Sequence, residues 1–260
     1  MTNSLHFSFY IFLGIYFSAV TLEILYDRRN KLKLYNIKDC IVNIFLGLLT
    51  VLFRILTKGI WIAIWTFLYQ YSAIKLPETL TTYLILFFMN EFVYYWFHRL
   101  SHEKRFLWAI HVNHHSSEFF NFTTAARTPF FNLILHNVFW IPLLFLGFSP
   151  TMIFSVETIG FLFSFIQHTQ IIKNFSIFDL ILNSPSHHRV HHSSNPEYIN
   201  KNYGNVLILF DRLFGTFQKE LKEIPIKYGL TKNINSYNPL VIIFHEWIEI
   251  FKLKNKSVNN

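Results

Sequence analysis

A single cysteine, Cys40, among 260 residues excludes an intrachain disulfide, a zinc ribbon, a four-thiolate iron–sulfur site and a CxxCH haem attachment. Any metal must therefore be held by histidine and carboxylate side chains. Charge is scarce as well: Asp, Glu, Lys and Arg make up 15% of the chain, against about 25% in soluble globular domains, which argues against an ordinary soluble protein. Glycine and proline number eight each, too few for a collagen-like, low-complexity or linker-rich chain, so one compact unit is expected. Acidic residues are outnumbered 15 to 23 by basic ones. With the apolar runs described next, an anionic membrane surface rather than nucleic acid is the expected counter-charge.

What is abundant is apolar and aromatic: 52% hydrophobic residues, with 31 Phe, 13 Tyr and 6 Trp. Leu5 to Leu25 can cross a bilayer core of about 30 Å once. No Lys or Arg precedes this block; the positive charge follows it in DRRNKLKLYNIKD, so the block reads as an anchor whose following loop lies in the cytoplasm. Residues 41–74 form a second run, too long for one simple span, with Arg54 and Lys58 on one helix face as interfacial cations; the number of crossings here is open. After Pro77, Thr79 to Phe97 gives another span. Phe130–Phe148 and Met152–Ile166, separated by Gly147, Ser149 and Pro150, read as a helical hairpin that leaves and returns on one side. In the tail, Phe244, Trp247, Ile248 and Phe251 form one stripe of an interfacial or docking helix.

The chemistry lies in the histidines. Of 13, nine sit in two windows: His98, His102, His111, His114 and His115 within 18 residues, and His187, His188, His191 and His192 within six. HRLSH, HVNHH and HHRVHH carry spacings of three and four, which share a helix face. Both windows follow a membrane span on the same side, so three faces can converge. Eight imidazoles exceed the about four ligands of one zinc and suit two metals; imidazole accepts zinc, copper, iron or nickel, and ligand type alone does not choose among them. His168, in FIQHTQ, is open between a ninth ligand and a supporting donor, and His187, one residue off the ligand face, reads as a supporting residue. Metal-bound imidazole commonly donates its other N–H to a carboxylate, so Glu118, Asp179 and Asp211 are candidates for that role, with a surface charge or helix cap as the alternative. His6, His136 and His245 stand outside any motif and read as packed side chains.

HRLSH, HVNHH and HHRVHH at these separations resemble the fatty acid hydroxylase/sterol desaturase superfamily of integral-membrane di-iron oxygenases. HHSSEFFNFTTAAR, FIQHTQII and ILNSPSHHRVHHSSNPEYINKNYGNVLILFDRLFGTF are similar to its alkylglycerol monooxygenase (glyceryl-ether monooxygenase)-like branch, over about residues 90–220. The resemblance implies metal binding by His98, His102, His111, His114, His115, His188, His191 and His192, two iron ions, O2 and two electrons. It also implies an external reductant, a tetrahydropterin or a separate electron-transfer protein, and a membrane lipid substrate; no nucleic acid is implied.

The expected fold is an all-α integral membrane protein of four to five membrane-spanning helices, with a cytosolic histidine-rich helical cap holding a dinuclear metal site. Residues 1–80 are the N-terminal membrane helices, 81–220 the fatty acid hydroxylase-like catalytic domain and 221–260 a tail with an interfacial helix. The expected function is hydroxylation or desaturation of a lipid chain, including cleavage of alkylglycerol ethers, with a membrane zinc-dependent lipid hydrolase as the alternative and a metal-binding scaffold or transporter as the non-enzymatic one. The expected compartment is a bacterial inner membrane with the metal site facing the cytoplasm.

Overall fold

The computed structural model describes residues 2–128 and 131–258, with side chains described from 14 to 252; His6 lies outside the described side chains. The described residues are helical, with two isolated β-bridges, Leu182 to Leu207 and Ser193 to Tyr228, and no strand. Five helical legs run back and forth: α1 (Thr2–Asn30), α2 (Ile37–Gln70), α3 (Leu80–Glu103), the broken leg α5 (Asn132–Phe139) with α6 (Ile141–Phe145), and α7 (Pro150–Gln167). The histidine-bearing α4 (Arg105–His115) and α8 (Pro185–His191), the short α9 (Leu209–Leu213) and the tail helix α10 (Pro239–Val258) complete the set.

Of residues 41–74, whose crossings were open in the sequence, those up to Gln70 form one unbroken helix. Asn36 caps its start by accepting from Lys38 N and Asp39 N, and the helix then runs 34 residues, about 51 Å. That exceeds a bilayer core, so one leg supplies a crossing and an extension beyond it. Ile41, Leu48, Leu52, Ile55, Leu56 and Ile60 are exposed along it, a surface that water does not tolerate at this length and a lipid core does. Helices α2 and α7 are both long and apolar enough to cross a membrane. Arg54 lies over the ring of Phe161 on α7, 5.8 Å from its centroid.

The expected hairpin forms at its turn and breaks in its first arm. Gly147 takes φ +99°, where a Cβ would meet Ile74 O at 2.8 Å, and Ser149 caps α7 with Pro150 in its first turn. Pro142, lacking an N–H, starts α6 rather than continuing α5, so the arm is two short helices. Beneath the histidine cap, Trp65, Leu86, Phe97, Trp140, Leu143, Leu144, Phe148, Met152, Ile153 and Val156 form the main core between the legs. The tail helix docks rather than floats: Ile242 and Ile243 bury against Val42 and Leu46, and Trp247 meets Phe106 edge-on at 5.1 Å. Phe244, Ile248 and Phe251 of the expected stripe remain exposed, whereas Trp247 turns inward.

The connections sort to two ends. The turns around residues 71–79 and 146–149 meet each other, Leu76 N donating to Gly147 O and Ser149 bonding Glu78. The α1–α2 turn lies at the opposite end beside the histidine cap, where Asn121 donates to Leu34 O.

Candidate metal centre

Helix α3 runs past its apolar stretch without a break, so His98 and His102, four residues apart, emerge on one face of its last turns. A kink at Lys104 starts α4, whose final turn carries His111, His114 and His115. Helix α8 is seven residues long, with Pro185 in its first turn, His188 and His191 within it and His192 as its last half-in residue.

These imidazoles gather into two groups whose nitrogens lie within 4.8 Å of one another: His98, His102, His111, His115 and His191 in one, and His114, His168, His188 and His192 in the other. Both motifs of the HxxHH form divide between the groups. On α4, His111 and His115 are only about 40° apart around the axis and join the five-membered group, while His114, about 100° from His115, joins the four. On α8 the pair His188 and His192 joins the four and His191 the five. Two or three rings aimed one way were expected of each motif; two share a group and the third bridges to the other. The groups adjoin, with the His115 and His192 rings stacked at 4.3 Å. His168, at the end of α7, enters as the ninth member.

The other candidates lie apart. His187 receives Ser184 N at its Nδ1 and helps cap α8 at 3.4 Å; burial pushes it down to about 4. Asp179 accepts from Phe175 N, and Glu118 lines a cleft of about 240 Å³ with Asp39, Arg127 and Tyr237. Asp211 bonds no histidine but accepts from Tyr203 N and Gly204 N at 2.7 Å. His136 stacks on Trp140 at 3.8 Å, and His245 donates to Ile242 O, so both are packed residues as expected.

Four of the nine clustered histidines bond backbone carbonyls, and among the described residues none of the nine bonds a carboxylate. The Nδ1–H of His98 donates to Tyr203 O at 2.8 Å, that of His191 to Lys201 O at 3.0 Å, that of His114 to Arg127 O at 3.3 Å and that of His168 to Ser164 O at 2.7 Å. A carbonyl only accepts, so each bond fixes the tautomer and leaves Nε2 as a bare lone pair aimed inward. Sequence carries no signal for a carbonyl, because every residue has one.

Inside the groups Nε2 meets Nε2: 3.1 Å for His98 and His111, 3.2 Å for His111 and His115, 3.0 Å for His168 and His188, and 3.1 Å for His188 and His192. At such distances a neutral ring with no Nδ1 partner, as His111 and His188 are, either donates its Nε2–H to its neighbour or turns a lone pair with it toward a metal. Burial, then neighbouring imidazoles, hold His111, His115, His168, His188, His191 and His192 well below the usual histidine range, and burial holds His114 down to about 4. Near neutral pH these rings are therefore neutral and able to act as ligands. A converging set of neutral imidazoles fits a late first-row transition metal in each group.

Buried polar residues that the sequence did not single out hold the carbonyls in place. Arg127, 2% exposed, donates to Asp39 at 3.0 Å, to Asn43 Oδ1 and Asn113 O at 2.9 Å, and to Ser116. That fixes the peptide whose oxygen anchors His114. Arg189 donates to Glu220, Thr169 O, Ile172 O and Lys173 O, tying α8 to the segment after His168. An Arg closing the FFNFTTAAR segment and an Asp in the first turn of a membrane helix were the legible signals; their pairing across 88 residues was not.

The fatty acid hydroxylase family model matches residues 83–216, the stretch from α3 through the histidine groups to the loop after α9. The chain is 37% identical over 216 residues to an alkylglycerol monooxygenase of Homo sapiens and 36% identical over 230 residues to one of Xenopus tropicalis, covering 82% and 87% of this chain and 48% and 51% of the relatives. It is 30% identical over 145 residues to an ornithine lipid hydroxylase of Rhizobium tropici, 55% of this chain and 44% of that protein. The chain thus spans about half the length of the curated relatives it matches. No solved structure matches it.

Proposed function

This chain belongs to the fatty acid hydroxylase family, and from that premise we propose that it is a membrane-bound di-iron oxygenase that hydroxylates a lipid chain with O2 and two electrons. The observation that carries the reading is the pair of inward-facing imidazole groups. One iron is held by His98, His102, His111, His115 and His191, the other by His114, His168, His188 and His192. When bound, such a pair supplies O2 reduction coupled to oxidation of an unactivated C–H bond, chemistry that an all-imidazole set supports and that thiol ligands are not needed for.

The chain's own residues position and shield. The carbonyls of Tyr203, Lys201, Arg127 and Ser164 orient four of the rings before any metal arrives, so the site is preorganised. Phe120 packs on His168 and His192, and Trp108 on His102 and His115; these rings keep water from the ligand nitrogens. Below His98, Tyr94 and then Trp140 and Phe97 lead toward the core between the legs, an apolar direction from which a lipid chain approaches.

The five legs are read as crossings, with α5–α6 the shortest. The arginine and lysine residues of 28–38 lie at the cap end, which supports a cytoplasmic site by the positive-inside bias. The substrate class is a glyceryl ether or a related lipid, in keeping with relatives named alkylglycerol monooxygenase. Hydroxylation beside the ether oxygen gives a hemiacetal that separates into a fatty aldehyde and glycerol. The electron donor is a tetrahydropterin or a separate electron-transfer protein.

The test is turnover of a 1-O-alkylglycerol and of an ester analogue by iron-loaded protein in lipid nanodiscs under 18O2, with each reductant class supplied. One 18O atom in the aldehyde or alcohol is the expected result. Product formed without O2 and carrying only solvent oxygen overturns the reading in favour of a zinc hydrolase.

A further inference from the structure

Nine neutral imidazoles bring no negative charge, yet two divalent ions carry about four positive charges into a buried shell. Five carboxylates are buried among the described residues: Glu23, Asp27, Asp39, Glu91 and Asp211. Asp39 is paired with Arg127 at 3.0 Å, and Asp27 caps the α1–α2 turn by accepting from Leu34 N. Glu23, Glu91 and Asp211, 2%, 1% and 0% exposed, form no ion pair among the described residues. Arg99, the cation that reaches Asp211 electrostatically, is bound to Glu103. An unpaired buried carboxylate is costly, and three in one small domain call for a common cause.

All three bond segments that carry or anchor a clustered histidine. Asp211 accepts from Tyr203 N and Gly204 N at 2.7 Å, and Glu91 Oε2 accepts from Val206 N and Leu207 N at 2.8 Å. Together they grip the loop whose Tyr203 O takes the Nδ1–H of His98. Glu23 accepts from Phe122 N at 2.8 Å and from the hydroxyl of Thr169, the residue after His168. The two or three N–H and O–H donors each carboxylate accepts favour its charged form, burial opposes it, and a divalent cation in the neighbouring histidine group favours the charge further. Thus two negative charges flank the five-histidine group and one flanks the four-histidine group. Glu91 Oε1 is buried with no donor, so the residue is more than a clamp: one oxygen holds the loop, and the other contributes only charge.

We propose that Glu23, Glu91 and Asp211 are the counter-charges of the cationic centre, placed behind the segments that carry or anchor its ligands so that they set its metal affinity and reduction potential. They are positioning residues, and the proposal rests on the reading that the histidines hold metal. In Glu91→Gln a single oxygen still takes both N–H groups while the charge is removed; Asp211→Asn and Glu23→Gln each also lose one of the two accepting oxygens.

The experiment compares the full chain with Glu91→Gln, Asp211→Asn and Glu23→Gln, with Glu78→Gln at the opposite end as the control. It uses anaerobic iron(II) titration, a redox titration read by electron paramagnetic resonance, and thermal melting with and without iron. Each cap variant is expected to bind iron(II) about tenfold more weakly, the lower part of the range for residues supporting metal ligands. Because the lost negative charge favoured the ferric state more, a further factor of ten against iron(III) relative to iron(II) raises the one-electron potential by about 59 mV. Without iron the melting temperature of Glu91→Gln is not lowered, because its amide oxygen keeps both loop bonds. Unchanged affinity and potential, with melting lowered equally in both states, would mean purely mechanical clamps and overturn the proposal. A wild-type chain that takes up no metal removes this proposal together with the reading beneath it, and wild-type metal content alone separates that outcome from the first.

Discussion

The Nε2 atoms of His114 and His168 lie 3.3 Å apart across 54 residues of chain, and each ring has already given its Nδ1–H to a carbonyl. Two lone pairs thus face each other in a buried site, an arrangement that a bridging cation stabilises and an empty protein does not.

Replacing His168 by Ala is therefore expected to lower bound metal from about two ions per chain toward one, with the four-histidine group affected. His187→Ala is expected to keep both ions and lose only a helix cap, about 0.5–2 kcal/mol of stability. Metal analysis of the two purified variants beside their melting curves checks this, and equal metal loss in both would reject the division of roles.

Acid should undo the metal-free fold before it undoes an ordinary one. Burial holds His114 down to about 4 and its clustered neighbours lower than the usual 6.5, so between about pH 6.5 and 4 the unfolded chain binds more protons than the folded one. Stability then rises with pH through that window and falls as pH drops. Melting temperatures of chelator-treated protein from pH 7.5 to 4.5 should decline in that direction, and bound metal should protect until protons displace it. A flat profile would contradict it.

Arg127 and Asp39 form a pair with side chains 2% and 4% exposed. Arg127→Met leaves Asp39 buried and alone, and is expected to cost about 3–5 kcal/mol. Adding Asp39→Leu to it should recover part of that loss, because no charge is then stranded. Denaturant unfolding in detergent of both variants decides the matter: a double variant as unstable as the single one would show that the pair is not the unit.

Gly204 sits in the loop that anchors His98, and a Cβ there would lie 2.2 Å from Leu207 O and 3.0 Å from Asp211 Oδ2. Gly204→Ala is expected to push this loop off its carboxylates, costing about 1–3 kcal/mol and weakening metal binding in the five-histidine group first. Metal content and cadmium or cobalt spectra of the variant test it, and an unchanged spectrum would show the loop free to yield.

Much of the site was legible because metal chemistry demands particular residue types. Spacings of three and four on helices announced His98, His102, His111, His114, His115, His188, His191 and His192, and the structure gathers all eight. The anchors were hidden for two reasons. Carbonyl oxygens belong to every residue, and Glu23, Glu91 and Arg127 act over separations of 99, 115 and 84–88 residues, where no local pattern points from one partner to the other.

Sequence by itself determined that this chain is helical, apolar and histidine-rich, because hydropathy and helical periodicity are properties of neighbouring residues. It also set which imidazoles are available, since a spacing fixes an angle around a helix axis. Only the tertiary structure decided that α2 is a single leg, that each HxxHH motif splits between two groups, and that His168 completes the second. Those outcomes depend on how the legs pack, and packing is settled by burial of Trp65, Trp140 and Leu86 between helices and by ion pairs closed across the whole chain.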